Sequence, residues 1–226
     1  MSEEQINAFF KSPLGIGATV IVCCAVLIMI AGHFYRKKQF SARVLTVSAV
    51  CVALSAILSM VTIFTMPQGG SVTPFSMLFI TLVGYWFGPA AGIMAGVASG
   101  LLNLAIKPEV IHPVQLLLDY PFAFGALGAA GFFRNFLRNN TIGKTHVKFD
   151  GLSIGYIAGA LARCFMSFIS GFVFYAQYAG NTNAVIYSAV YNLSYIIPEM
   201  VITLIVLSVP AVRNAIDMVG REKRTA

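Results

Sequence analysis

Seven long apolar stretches dominate this 226-residue sequence, at about 14–35, 44–66, 72–87, 89–106, 114–133, 152–178 and 184–209. Within them only Asp119, Arg163 and Glu199 carry charge. A hydrocarbon core about 30 Å thick needs roughly 20 apolar residues of helix to cross it, with every backbone polar group paired inside the segment. Stretches of this length and purity read as transmembrane helices. The composition agrees, being 58% hydrophobic and 10% charged with a mean hydropathy of +0.82, whereas soluble domains carry about 25% charged residues. A soluble domain is excluded, and the short linkers leave no room for a sizeable extramembrane domain. The expected fold class is an all-α polytopic membrane protein.

The net charge of +7 comes from short basic clusters between apolar runs, which is an orientation signal and not the mark of a nucleic-acid surface. An outside N-terminus puts Arg36, Lys37, Lys38, Arg43, Arg134, Arg138, Lys144, Lys148, Arg213, Arg221, Lys223 and Arg224 in the cytoplasm. Only Lys11 and Lys107 then lie outside. Twelve against two predicts a multi-pass plasma-membrane protein with its N-terminus out and its C-terminus in. The opening MSEEQINAFFK is acidic and the run 14–32 is long for a signal peptide, so a retained anchor is expected. That first helix has no recurrent polar face, and RKKQFSAR separates it from the rest. The chain divides into an extra N-terminal transmembrane helix with its basic linker (1–41), a six-helix core (42–212) and a cytoplasmic basic tail (213–226). Cys23, Cys24, Cys51 and Cys164 lie inside apolar runs without metal-type spacing and read as buried thiols.

The core helices have distinct faces. Gly88, Gly92, Gly96 and Gly100 recur every four residues in the fourth stretch, and Gly151, Gly155 and Gly159 repeat the device in the sixth. In lipid such rows allow close helix contact. The sixth stretch then continues on nearly the same face with Arg163, Ser167, Gly171 and Tyr175. The seventh carries Tyr187, Ser188, Tyr191, Asn192, Tyr195 and Glu199 along one side, and the fifth carries Gln115, Asp119 and Tyr120. Polar groups in hydrocarbon face a bundle interior or a watery cavity. Helical rise puts Asp119 roughly 9 Å and Asn192 roughly 12 Å below the outer ends of their helices, with Tyr175 near the mouth. These depths fit one outward-opening pocket of aromatic plates and a carboxylate, suited to a flat, cationic small molecule. Asp119 also fits a structural role at a helix start, and Tyr178 and Trp86 fit an interfacial aromatic belt. Arg163 and Glu199 lie roughly 18 Å and 22 Å from the outer ends of consecutive helices, so an ion pair is expected, as a structural clamp or a proton relay. The Pro/Gly-rich MPQGGSVTP before the third stretch is a candidate lid.

Catalytic chemistry has no visible constellation. Gly143-Lys144-Thr145 mimics the end of a phosphate-binding loop, but Arg138 stands where its first glycine belongs. His33, His112 and His146 are scattered, and neither H-E-x-x-H nor G-x-S-x-G occurs. No enzyme, metal or cofactor site is expected.

QGGSV (68–72), HPVQLLLDYPFAFGALGAAGFFR (112–134), SFISGFVFYAQYA (167–179) and IYSAVYNLSYIIP (186–198) resemble the thiamine-specific S component of energy-coupling-factor transporters, in collinear order over about 42–212. The resemblance implies a six-helix bundle that takes thiamine from outside and works with a transmembrane coupling protein and two ATPase subunits. It implies Asp119 as the acid hydrogen-bonded to the aminopyrimidine, Tyr120 as its stacking neighbour, Gly171 as a point of close ring approach, and Tyr187 and Asn192 as further contacts. Ser167 replaces the family histidine and Tyr175 an aromatic that is tryptophan in some members. Ala49 and Ala53 match the small-residue motif that docks the coupling protein. Two other readings stay open at this stage: the same fold for a thiamine precursor or another vitamin, and a solitary secondary transporter that uses Arg163 and Glu199.

Overall fold

The structure, a computed structural model, describes residues 40–134 and 151–221 together with scattered positions between 5 and 29. The expected extra helix over 14–35 and the basic positions of 36–38 and 138–148 lie largely or wholly outside the described residues. From residue 42 the order is α1 (Ala42–Met60), β1 (Phe64–Thr65), β2 (Ser71–Val72), α2 (Ser76–Phe87), α3 (Pro89–Ile106), α4 (Pro113–Phe133), α5 (Gly151–Phe174), α6 (Ala184–Leu207) and α7 (Pro210–Arg221). α1, α3, α4, α5 and α6 are long and apolar enough to cross a membrane, and α2 is a shorter apolar helix of 12 residues. An all-α polytopic membrane fold is therefore what forms.

Two of the expected boundaries move for one reason. The stretches 44–66 and 72–87 each lose an end to a small hairpin, in which Phe64 pairs with Val72 and Thr65 with Ser71. α1 accordingly stops at Met60 and α2 starts at Ser76. Gly88 is also not part of the α3 packing row. With φ at +98° it forms the corner between α2 and α3, a left-handed conformation that a side chain would strain.

The remaining glycines place α4 at the centre of the bundle. A Cβ on Gly92 would stand 2.6 Å from the Gly128 carbonyl, and those on Gly96 and Gly100 would collide with the carbonyls of Phe124 and Tyr120. On a second face, Cβ atoms on Gly155 and Gly159 would lie 2.8 Å from the carbonyls of Ala130 and Leu127. Backbone thus meets backbone on two faces of α4, the close approach that small residues permit in lipid. α4 itself is not a regular α-helix. Pro121 has no amide to donate, and residues Leu118–Phe122 take a π-helical turn around it.

Alternating helix directions sort the side chains to two ends. Ser59, Ser76, Lys107, Gln115, Tyr175 and Tyr187 gather at one end, and Arg43, Trp86, Arg134 and Leu207 at the other. α7 covers this second end, where Ile216 is buried and its carbonyl accepts from Trp86 Nε1 at 3.0 Å. Residues 213–221 of the expected basic tail are therefore helical and packed on the bundle. Trp86 lies far from the aromatic cluster of the first end.

Candidate binding site

A cavity of about 390 Å³ opens at the first end of the bundle. Asp119, Tyr120, Ser167, Gly171, Tyr175, Tyr187 and Asn192 all line it, so the seven positions singled out from the sequence converge on one space. Tyr178 does not line it; half-exposed, it packs against the Tyr175 ring.

The π-turn in α4 presents Asp119 and Tyr120. Gln115, one turn earlier and fully buried, organises them: its Nε2 lies 2.7 Å from Asp119 Oδ2, 3.0 Å from the Glu109 carbonyl and 3.2 Å from the Tyr175 hydroxyl. Gln115 Oε1 accepts from the Ile111 amide at 3.0 Å. Asp119 therefore keeps one carboxylate oxygen clear of Gln115. The Tyr120 hydroxyl donates to the Lys107 carbonyl at 2.8 Å and accepts from the Glu109 amide at 2.7 Å, which fixes its ring against the cavity wall.

α6 contributes an aromatic ladder at four-residue spacing. Tyr187 and Tyr191 stack with centroids 6.0 Å apart, and Tyr191 meets Tyr195 edge-on at 5.8 Å. Tyr191 and Tyr195 both line the cavity. Between them Asn192 Nδ2 donates to the carbonyls of Ser188 and Ser167, and its Oδ1 accepts from the Tyr195 hydroxyl at 2.8 Å. Asn192 thereby joins α5 to α6 beside the cavity. Gly171 serves the same joint, since a Cβ there would collide with Ser188 Oγ. Ser167 is buried, and the Tyr195 hydroxyl stands next to it.

The lid expected from MPQGGSVTP has a definite seat. The 66–70 turn of the hairpin lies over α6, where the Tyr191 hydroxyl donates to the Pro67 carbonyl and accepts from the Gly70 amide, and Tyr187 donates to Gln68 Oε1 at 3.3 Å. A Cβ on Gly70 would be 2.6 Å from the Tyr191 hydroxyl, so the turn sits close on the ring.

The expected Arg163–Glu199 ion pair does not form. Glu199, buried to 3% exposure, accepts from Thr73 Oγ1 at 2.8 Å, Ser76 Oγ at 3.0 Å and the Met77 amide at 3.1 Å. Phe75, at the N-cap of α2, supplies no side-chain hydrogen bond, and Glu199 caps that helix from across the bundle, where the dipole favours a carboxylate. Arg163 instead places its guanidinium 4.3 Å from the centroid of the buried Phe124 ring, with Nε unpaired among the described residues. It lines the cavity and lies within electrostatic reach of Asp119. Similar depth fixed the height of both residues but not their direction around the bundle. The coupling-pair reading of a solitary secondary transporter loses its geometric basis.

Over residues 45–217 the sequence matches the thiamine transporter protein family (Thia_YuaJ). The chain belongs to the thiamine transporter protein family. Among its relatives, the thiamine transporter ThiT of Bacillus subtilis (strain 168) is 38% identical over 164 residues, 70% of this chain and 85% of that protein. The thiamine transporter ThiT of Lacticaseibacillus paracasei is 34% identical over 127 residues, 54% of this chain and 62% of that protein. A solved structure of ThiT from Listeria monocytogenes shares the fold, with a TM-score of 0.61 at 23% identity over 73% of this chain and 91% of the other. Family membership makes this a membrane-embedded thiamine-binding S component of the energy-coupling-factor type, a transporter subunit and not an enzyme.

Proposed function

We propose that thiamine occupies the α4–α5–α6 cavity, entering from outside the cell, with its aminopyrimidine at Asp119 and its rings against the tyrosines. The convergence of all seven residues on a single cavity carries this reading. A volume of about 390 Å³ is at the small end of the range for small-molecule pockets. The carboxylate matches the amino group of the pyrimidine through a charge-assisted hydrogen bond, and the aromatic walls match a cationic thiazolium. Gly171 and Asn192 hold α5 and α6 at the spacing the cavity needs.

Orientation follows from charge. The end opposite the cavity carries Arg43, Arg134 and Arg213, against Lys107 at the cavity end, and the positive-inside bias supports a cytoplasmic position for that basic end. The C-terminus is then inside and the cavity opens outward. Ala49 and Ala53 are exposed on α1, open for a transmembrane coupling protein, which two ATPase subunits would drive. Mass spectrometry of small molecules retained by the purified protein tests the ligand. Thiamine is expected, and a different vitamin or a lone pyrimidine precursor would replace this reading.

A further inference from the structure

Glu109 lies in the connection between α3 and α4, outside the polar helix faces that pointed to the cavity, yet it lines the same space. Its backbone is held on both sides: the amide donates to the Tyr120 hydroxyl at 2.7 Å, and the carbonyl accepts from Gln115 Nε2 at 3.0 Å. The two residues that flank Asp119 therefore also fix Glu109. Its side chain is turned to the hairpin. A Cβ on Gly69, which has φ at +83°, would stand 3.4 Å from Glu109 Cγ. The stem of the acid thus rests against the lid turn at the cavity mouth. Among the described residues its carboxylate has no hydrogen-bond or ion-pair partner. The neighbouring Lys107 is directed elsewhere, with Nζ donating to the Ser59 carbonyl at 2.9 Å.

We propose that Glu109 is a second, outer carboxylate of the binding site that selects for the fixed positive charge of the ligand. This rests on thiamine occupying the cavity. Asp119 lies inside on α4 and meets the hydrogen-bonding pyrimidine, and Glu109 lies at the mouth, where the thiazolium follows. Arg163 repels a cation from the deep wall of the cavity, and Glu109 attracts it to the rim. The two charges together impose one direction of insertion. An acid at the rim also raises the local concentration of cations and speeds their encounter in a salt-dependent way.

The experiment compares wild type, Glu109→Gln and Glu109→Lys by titration calorimetry at low and high salt. The probes are thiamine and an analogue in which a neutral thiophene replaces the thiazolium. Glu109→Gln is expected to weaken thiamine about two- to fivefold at low salt, the effect of one partly screened charge, and less at high salt. Glu109→Lys should weaken it further, and binding of the neutral analogue should stay unchanged in both variants. Unchanged thiamine affinity in both variants, or equal weakening of thiamine and analogue, would overturn the proposal. Tight thiamine binding by wild type with either of those results leaves the thiamine reading standing and removes only the role of Glu109. A wild type without thiamine affinity overturns both.

Discussion

Removing the Glu199 carboxylate tests whether it caps α2 or pairs with Arg163. In Glu199→Ala three donors lose their acceptor: Thr73 Oγ1, Ser76 Oγ and the Met77 amide. The two hydroxyls lie 2.7 Å apart, so one of them can donate to the other. One hydroxyl and the Met77 amide are then left buried and unpaired. At about 1–3 kcal/mol for each unsatisfied group, the loss comes to roughly 2–6 kcal/mol. Glu199→Gln keeps an acceptor for Ser76 and Met77 and turns its NH₂ toward Thr73, whose hydroxyl can accept. It should cost only about 1–2 kcal/mol, the difference between charged and neutral acceptors. The decisive step is a double-mutant cycle with Arg163→Met, read by denaturant unfolding in detergent with circular dichroism. Because Arg163 gives no hydrogen bond to Glu199, the coupling should stay below about 1 kcal/mol. Single variants that lose about 3–5 kcal/mol each, with stability recovered in the double variant, are the signature of a broken buried pair and would refute the cap.

Gly96→Ala should destabilise by about 1–3 kcal/mol through overpacking, because its Cβ meets the Phe124 backbone, whereas Gly125→Ala, whose nearest neighbour is the Val97 side chain at 3.2 Å with Ile93 at an ordinary 3.9 Å, should be milder; equal thermal midpoints for the two would contradict the packing. Replacing both exposed alanines, Ala49 and Ala53, with tryptophan should abolish vesicle uptake with the complete transporter and leave thiamine affinity intact; loss of both would move that face into the folded core. Ser167→His should tighten thiamine by an added aromatic contact of about 0.5–1.5 kcal/mol; unchanged or weaker binding by calorimetry would contradict it.

The helices were legible because their signal is one-dimensional: long uncharged runs have no other stable form in lipid. The glycine rows were equally plain, and their four-residue spacing led directly to the backbone contacts of α4. Most of the cavity was readable for a related reason, since Ser167, Gly171 and Tyr175 share one side of α5, and Tyr187 and Asn192 one side of α6. What the pattern could not carry was azimuth. Depth alone paired Arg163 with Glu199, whereas α2 turned its uncapped N-terminus toward Glu199 and Phe124 turned its ring toward Arg163. Loop residues escaped too. Glu109 joins the site through the bonds of Tyr120 and Gln115 to its backbone and the contact of its stem with the Gly69 turn, and no periodicity announces such contacts. The π-turn carried a local signal, Pro121 within an apolar run, but its effect on Asp119 needed coordinates. α7 was hidden by its low hydropathy, because an amphipathic helix laid over the end of the bundle resembles a charged tail in a count of charges.

Titration of thiamine into wild type and Asp119→Ala tests the central claim most directly. Asp119 is the carboxylate that α4 presents to the cavity, and Gln115 holds it from one side at 2.7 Å. A charge-assisted hydrogen bond to the pyrimidine amino group contributes about 1.5–3 kcal/mol, which corresponds to a loss of roughly ten- to a hundredfold or more. Tight binding by wild type that weakens by that factor in Asp119→Ala is the expected result. Thiamine binding with equal affinity in both proteins would place its recognition elsewhere and contradict the assignment of this cavity.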